Sequence, residues 1–293
     1  MPKSKWNLNT IYISERLQES LRPISRCAMT TVVAPMGYGK TTAVEWYLAE
    51  RAGAEAPYIV RISVYSGNLA IFWKSVQDAF ARAGFAFLRE YDCPTDGASG
   101  GLLIDDLCHA LTGEQSCYIF IDDFHLLTDK RAPGFLCALA GRLPPNVHLI
   151  LASRDLFLPA AELVRLGGKV YQIGTAQLRL NHTELAVYTK RCGTALSDEQ
   201  IDTLLYYSEG WFSAVYLNLR MFSEHGVLPD PNSDISSIFT AAMIDPLPEK
   251  QREFPAVMGL ADEFTVEMAQ FVMADAHAEN LLAALTGQNA FVK

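Results

Sequence analysis

The segment that most constrains the fold is Ala34–Thr42, which lies between an apolar stretch and a helical stretch. Its sequence, A-P-M-G-Y-G-K-T-T, places Gly-Lys-Thr at the spacing of a phosphate-binding loop, with a small residue in the first position. Glycines at positions 37 and 39 allow backbone N–H groups to turn inward, and the following helix adds the positive end of its dipole. A glycine-rich turn that contains Lys-Thr by chance is the alternative, and the flanking strand and helix disfavour it.

Each residue type in this loop has a defined task. Lys40 is expected to reach the β- and γ-phosphates, and the Thr41 hydroxyl is expected to bind Mg²⁺. The predicted ligands are therefore ATP or ADP together with Mg²⁺. The residues predicted to contact the nucleotide are Pro35, Met36, Gly37, Tyr38, Gly39, Lys40, Thr41 and Thr42.

A second apolar run ends in two carboxylates. Tyr118–Ile121 is followed by Asp122 and Asp123, 82 residues after Lys40. A buried strand would deliver Asp122 to the edge of a sheet, where it can bind Mg²⁺ through water, and Asp123 would orient or activate a water. Alternatively, the two aspartates only cap the next loop. The phosphate-binding loop favours the metal site.

Another predicted strand is followed by an arginine. His148–Ser153 is followed by Arg154, which is predicted to sense or stabilise a γ-phosphate or else to lie solvated in a loop. The spacing leaves both interpretations open. His125 follows the aspartate pair, and we interpret it as a structural loop residue because no Cys or His lies at metal-ligand spacing from it.

The first half of the chain alternates short apolar runs with helical segments. This order predicts an α/β fold, the P-loop NTPase type, in which helices flank a parallel sheet. The candidate strands are Thr30–Ala34, Tyr58–Val64, Cys117–Ile121, His148–Ser153 and Val170–Ile173. The candidate helices between them are Thr41–Arg51, Leu69–Ala83, Leu102–Leu111 and Pro133–Leu143.

After about residue 174 the strand patterns stop and helical patterns continue. Asn181 with Glu184, and Ser197 with Gln200, indicate capped helix starts, and Gly226–Ser237 is the clearest loop. The further predicted helices are Glu209–Ser223, Ile235–Ile244, Pro248–Gly259, Thr265–Ala274 and His277–Leu285.

Composition excludes several classes of protein. A net charge of −9 disfavours nucleic-acid binding by this chain itself, because phosphate contacts need clustered Lys and Arg. The six cysteines are dispersed without a C-x-x-C pair, which argues against a zinc site and against a disulfide scaffold. No apolar run approaches the ~18 residues of a membrane span, and no signal segment follows the basic first residues, so we expect a cytoplasmic protein.

The chain resembles the N-terminal part of the MalT-like group of LuxR-family transcriptional regulators, which are STAND-class signalling ATPases related to AAA+ proteins. The resemblance covers nearly the whole chain, and its two specific motifs are G-Y-G-K-T-T and D-D-x-H-L. The segments that carry it are Ala34–Thr42, Ile121–Leu127, Leu151–Arg154, Leu178–Leu180, Ser208–Trp211, Pro246–Glu249 and Leu281–Phe291.

The resemblance implies a domain organisation and further site residues. It implies a P-loop α/β domain over 1–175, a small helical lid domain over 176–232 and a partial winged-helix domain over 233–293. Arg154 becomes a sensor residue by this resemblance and is grouped with Asp123 as catalytic. Ile13 and Arg16 lie in a segment similar to the element that flanks the adenine in the family.

The function implied is an ATP/ADP-dependent switch in a ligand-responsive transcription regulator, with slow hydrolysis and self-association in the ATP state. The chain ends within the predicted winged helix. We therefore expect an inducer to act only through a missing C-terminal region, and DNA to bind only through a missing C-terminal helix-turn-helix. The alternative is a stand-alone P-loop kinase or transport-type ATPase, although no substrate cluster is evident. A third hypothesis is a nucleotide-independent scaffold that keeps the fold.

Overall fold

The protein is described by a computed structural model. The described residues are 10–193, 196–226, 228, 249–258, 264–275, 278–280 and 282. They fall into two compact units: the first is Ile13–Arg179, and the second joins the residues up to Tyr12 with those from Leu180 onward. The three predicted domains, 1–175, 176–232 and 233–293, remain a proposal.

The first unit is built from five strands and seven α-helices. Its strands are β1 (Met29–Val33), β2 (Tyr58–Ser63), β3 (Cys117–Asp122), β4 (Val147–Ser153) and β5 (Val170–Ile173). Its helices are α1 (Glu15–Leu21), α2 (Lys40–Glu55), α3 (Leu69–Arg82), α4 (Gly97–Leu111), α5 (Ala132–Arg142), α6 (Ala160–Leu166) and α7 (Thr175–Leu178).

The five strands form one parallel sheet in the order β2-β3-β4-β1-β5. The predicted α/β architecture, a parallel sheet flanked by helices, is confirmed. Strand β4 lies between β1 and β3, because Leu151 pairs with Thr31 on one side and with Ile121 on the other. The carboxyl ends of these three strands therefore meet at one edge of the sheet.

Alternate residues of β3 face two different cores. Ile119 and Ile121 join the cluster beneath α3, α4 and α5, whereas Tyr118 and Phe120 join the cluster that contains buried residues of α1 and α2. All four side chains are buried. A strand buried on both faces needs the continuous apolar run from which it was predicted.

Helix α4 begins earlier than its predicted start at Leu102. The Asp96 side chain accepts the backbone N–H groups of Ala98 and Ser99, and this capping box starts the helix at Gly97. The glycine-rich first turn carries no apolar periodicity, so the pattern alone indicates the helix only from Leu102 onward.

The regular secondary structure described in the second unit is helical. Its helices are α8 (His182–Arg191), α9 (Asp198–Ser208), α10 (Phe212–His225), α11 (Glu249–Met258) and α12 (Val266–Val272). The predicted caps Asn181 and Ser197 are confirmed as capping boxes. Among the described residues, no helix is both long and apolar enough to cross a membrane. The lid and the winged helix stay predictions.

Several predictions lie wholly or largely outside the described residues, so the structure gives no outcome for them. They are the helix Ile235–Ile244, most of the loop Gly226–Ser237, most of the helix His277–Leu285, and the family-like segments Pro246–Glu249 and Leu281–Phe291.

A tight turn separates α9 from α10 and corrects the predicted helix start at Glu209. Glu209 and Gly210 both have positive φ, at 49° and 74°, which ends α9 and delays the next helix until Phe212. Gly210 also lies directly against Leu180: its carbonyl accepts the Leu180 N–H at 2.9 Å, and a Cβ on Gly210 would overlap the Leu180 carbonyl oxygen. Only glycine satisfies both constraints.

We expect Gly210→Ala to lower the free energy of unfolding by about 3 kcal/mol or more, since it adds a backbone clash to left-handed strain. Gly226→Ala is the matched control, because Gly226 has φ 76° and a Cβ there meets nothing within 4 Å. The free energy of unfolding of the control should fall by only about 1 kcal/mol. Urea unfolding of both variants measures the difference, and equal losses would contradict the close approach.

Candidate nucleotide-binding site

The predicted phosphate-binding loop joins β1 to α2. Gly37 and Gly39 have φ of 80° and 74°, in the left-handed region that glycine adopts without strain. Gly39 is the N-cap of α2 and offers no side-chain cap, so the first N–H groups of the helix stay directed toward the loop. Pro35 and Met36 are exposed, and Tyr38 packs partly against the core under the loop.

Lys40 opens α2 and lies over the loop. Its side chain is nearly buried, at 8% exposure, and Nζ donates to the carbonyl oxygens of Ala34 at 2.7 Å and of Pro35 at 3.0 Å. Thr41 follows as a half-buried residue and Thr42 is exposed. A positive charge is thus held among backbone groups at the start of a helix, which is where anions bind.

The two aspartates lie at the end of β3. Asp122 is its last residue and pairs with Ser63 of β2, and its Oδ1 accepts the backbone N–H of Asp123 at 3.0 Å. Asp123 has φ 53° and begins a short 3-10 turn over Phe124–Leu126; its side chain is 50% exposed. The two carboxylates therefore belong to different backbone conformations: Asp122 ends the strand, and Asp123 turns the chain away from it.

Arg154 immediately follows β4, the strand between the loop strand and the aspartate strand. It is exposed, and among the described residues its guanidinium makes no hydrogen bond or ion pair. Ser153 before it is buried, and its Oγ donates to the Asp155 carbonyl at 2.8 Å, which fixes the backbone on both sides of Arg154. The arginine is thus a cation on a fixed backbone with no described partner.

His125 is a candidate site residue that sequence reasoning assigned to a structural role. Its side chain is only 10% exposed, and Nδ1 lies 4.0 Å from Asp123 Oδ1, which is too long for a hydrogen bond. Both ring nitrogens are buried, and neither has a hydrogen-bond partner among the described residues. A buried polar group without a partner is costly, so this imidazole indicates a place where a ligand or a water completes the site.

The charges around His125 connect the parts of the site. Burial lowers the pKa of His125, and the positive charges of Arg154 and Lys40 lower it further, while Asp123 and Asp155 oppose them. These groups come from the loop, from the end of β3 and from the end of β4. The lowered pKa favours the neutral imidazole, in which one nitrogen can donate and the other can accept a hydrogen bond.

Ile13 and Arg16, the residues predicted to flank the adenine, occupy different surroundings. Ile13 packs partly against the core cluster that also carries Tyr38 and residues of α2. The Arg16 guanidinium donates to three backbone carbonyls at the end of α7, those of Ala176, Gln177 and Arg179. Arg16 thus holds α1 to α7, and its nucleotide contact stays a prediction.

The chemistry of this edge fits a phosphate ligand with a divalent cation. It offers the loop, the Lys40 ammonium and the Arg154 guanidinium for phosphate oxygens. The Thr41 hydroxyl and the Asp122 carboxylate are oxygen ligands of the kind that Mg²⁺ prefers. The unpartnered nitrogens of His125 add a donor and an acceptor for water or phosphate.

Comparison with known proteins gives two kinds of likeness. No protein-family model matches the chain. It is 21% identical over 306 residues to the HTH-type transcriptional regulator MalT of Vibrio campbellii, covering 97% of this chain and 32% of that protein. It is 25% identical over 220 residues to MalT of Serratia proteamaculans, covering 71% and 23%. The predicted resemblance to MalT regulators is confirmed, and the chain spans about a third or less of their length.

A solved structure supports the fold independently of sequence. A Walker-type ATPase of Pyrococcus abyssi superposes with a TM-score of 0.52 at 13% identity, covering 98% of this chain and 91% of that chain. At this identity the likeness concerns the fold alone.

We expect NMR titration to place the pKa of the His125 imidazole below its ordinary value of 6.5, and Arg154→Gln to raise it by removing the nearby positive charge. Arg142→Gln is the control, because Arg142 pairs with Asp105 on the surface. Since folded His125 resists protonation, its contribution to stability is complete above pH 6.5 and is lost as the pH falls toward the lowered value. An identical His125 pKa in both variants would contradict the proximity of Arg154.

Proposed function

We propose that this chain is the ATP/ADP-binding switch module of a ligand-responsive transcription regulator, with slow ATP hydrolysis and nucleotide-controlled self-association. The observation that carries the proposal is the glycine loop between β1 and α2, with Lys40 at its end and Asp122 at the end of β3 on the same sheet edge. The likeness to MalT regulators and to a Walker-type ATPase supports a nucleotide-binding regulator.

In this proposal the loop from Pro35 to Thr42 holds the phosphates. Gly37 and Gly39 give the backbone the curvature to direct N–H groups at phosphate oxygens, and Lys40 exchanges its two carbonyl contacts for the β- and γ-phosphates. The exchange is favourable because a charge-assisted contact to phosphate is stronger than one to a neutral carbonyl. Ile13 and Arg16 lie beside the adenine.

Mg²⁺ would neutralise part of the phosphate charge when bound, and Thr41 and Asp122 are the residues that would hold it. Asp123, with its exposed carboxylate, orients the attacking water. The water oxygen forms the new bond to the γ-phosphorus, the bond from that phosphorus to the ADP oxygen breaks, and the water proton passes to a phosphate oxygen. Neutral His125 offers hydrogen bonds to that water or to a γ-phosphate oxygen. Arg154 stabilises the charge that develops there, which makes it sensitive to whether ATP or ADP is present.

A switch requires that ATP and ADP favour different conformations. Moving a protein from mostly one state to mostly the other needs about 5 kcal/mol of differential binding free energy. We infer that a lid of the helices after residue 176 and a winged helix after residue 233 respond to this difference and control self-association. Inducer and DNA act through regions of the longer regulators that this chain does not span.

We expect Lys40→Ala to weaken the binding of ATP and ADP at least about 100-fold, because it removes the charged contact to the β- and γ-phosphates. Lys74→Ala is the control, since Lys74 is an exposed residue of α3 that contacts Asp78 on its own helix. Calorimetric titration with each nucleotide measures both variants. Unchanged affinity in Lys40→Ala would leave the nucleotide-independent scaffold as the better hypothesis.

The same proteins test self-association. Sedimentation velocity should show a larger species for the wild type and for Lys74→Ala with ATP than with ADP, and no difference for Lys40→Ala. A wild type that sediments identically with both nucleotides would remove self-association from the proposal and leave nucleotide binding standing.

The two aspartates should separate metal binding from hydrolysis. We expect Asp122→Asn to lose the gain in ATP affinity that Mg²⁺ gives, while its binding without Mg²⁺ is retained. Asp123→Asn should bind MgATP like the wild type but turn over at least about tenfold more slowly. Phosphate release measures turnover, which should be below about one per minute in the wild type, as in nucleotide switches that lack an activating partner. Wild-type turnover in Asp123→Asn would exclude Asp123 as the water-orienting group.

A further inference from the structure

A cavity lies on the face of the sheet opposite α1 and α2. Its volume is about 420 Å³, and it is enclosed by α3, α4 and α5 above strands β2, β3 and β4. None of the phosphate-binding loop residues lines it. Its apolar walls include Phe72, Val76, Leu103, Ile121, Phe135 and Leu139.

The size of this space is unusual for a protein core. Interiors are close-packed, with few voids larger than a water molecule. An apolar cavity of about 150 Å³ already takes up benzene, and small-molecule sites run from about 300 to 1,000 Å³. A space of 420 Å³ therefore accommodates a ligand of two fused or linked rings rather than a few waters.

Three helical glycines lie at the wall of the cavity. Gly97 and Gly101 of α4 and Gly134 of α5 line it, and a Cβ at any of the three would meet nothing within 4 Å. Gly97 and Gly134 are exposed, so this side of the cavity communicates with solvent.

The charged groups at the rim are engaged with the protein. Arg131 donates to Asp129, with a shortest contact of 2.7 Å, and to the Thr95 carbonyl. This pairing holds the pKa of Asp129 at about 2. Arg142 donates to Asp105 at 2.8 Å.

Two further polar groups of the wall are bonded. Asp96 caps α4, and the Trp73 indole N–H donates to the Tyr91 carbonyl at 3.0 Å. The interior thus presents hydrocarbon and aromatic surface. The favourable free energy of binding would come from removing the apolar surface of a ligand from water.

We propose that the cavity between α3, α4, α5 and the sheet is a binding site for an uncharged, apolar small molecule. The site is separate from the nucleotide site, and it stands or falls independently of the proposed switch. Because β3 contributes Ile119 and Ile121 to its wall, the ligand packs against the strand that ends in Asp122.

The probe for this site is N-phenyl-1-naphthylamine, a neutral dye that fluoresces when it leaves water. The full chain should bind it saturably with one dye per protein, and excess ADP should not displace it. Leu103→Trp fills the cavity and should weaken binding at least about tenfold. Leu102→Trp is the matched control, because Leu102 is the neighbouring residue of α4, is 68% exposed and does not line the cavity.

A second readout is the quenching of tryptophan emission by the bound dye. Dye in the cavity lies beside Trp73 and should quench its emission, so Trp73→Phe should remove most of the quenching, while Trp46→Phe on α2 should retain it. If Leu103→Trp does not fold, as judged by circular dichroism, Val76→Phe replaces it, since Val76 also lines the cavity. Absence of saturable wild-type binding, displacement by ADP, or unchanged affinity in the filled variant would each overturn the proposal.

Discussion

The hydrogen bonding of β4 to both β1 and β3 is the constraint on which the candidate site depends. Strand β1, which leads into the loop, and strand β3, which ends in Asp122, do not pair with each other. Both pair with β4, which therefore fixes the register between them. Through it, Lys40, Asp122 and Arg154 arrive at one edge from three separate parts of the chain. Parallel pairing makes this convergence automatic, since every strand delivers its carboxyl end to the same side.

The two faces of the sheet carry separate hydrophobic clusters. The cluster beneath α1 and α2 supports the predicted phosphate-binding loop. The face beneath α3, α4 and α5 is buried as well but retains an open space of about 420 Å³. Because alternate residues of β3 reach opposite faces, one strand contributes Phe120 to the packed side and Ile121 to the cavity, while its end carries Asp122. Nucleotide and an apolar ligand would thus meet the same strand from different directions.

The features predicted from sequence are those determined locally. Glycine, lysine and threonine at fixed spacing after an apolar run specify a strand, a loop and a helix, and an apolar run ending in Asp122 specifies a buried strand. The start of α4 at Gly97 lacks such a pattern, because a cap and glycines replace the apolar period. The surroundings of His125 and the Arg16 contacts with α7, some 160 residues away, depend on how distant segments pack, and no spacing encodes them.

The left-handed backbone conformation at Asp123 restricts which amino acids this position tolerates. Among residues with side chains, aspartate and asparagine adopt positive φ most readily, and branched residues scarcely do. Glutamate would keep the charge but would place it on a longer stem above a strained peptide. The best tolerated substitutions at this position are therefore asparagine and glycine, both of which keep the turn and remove the carboxylate. Variants that lack this carboxylate should then keep the fold of the chain.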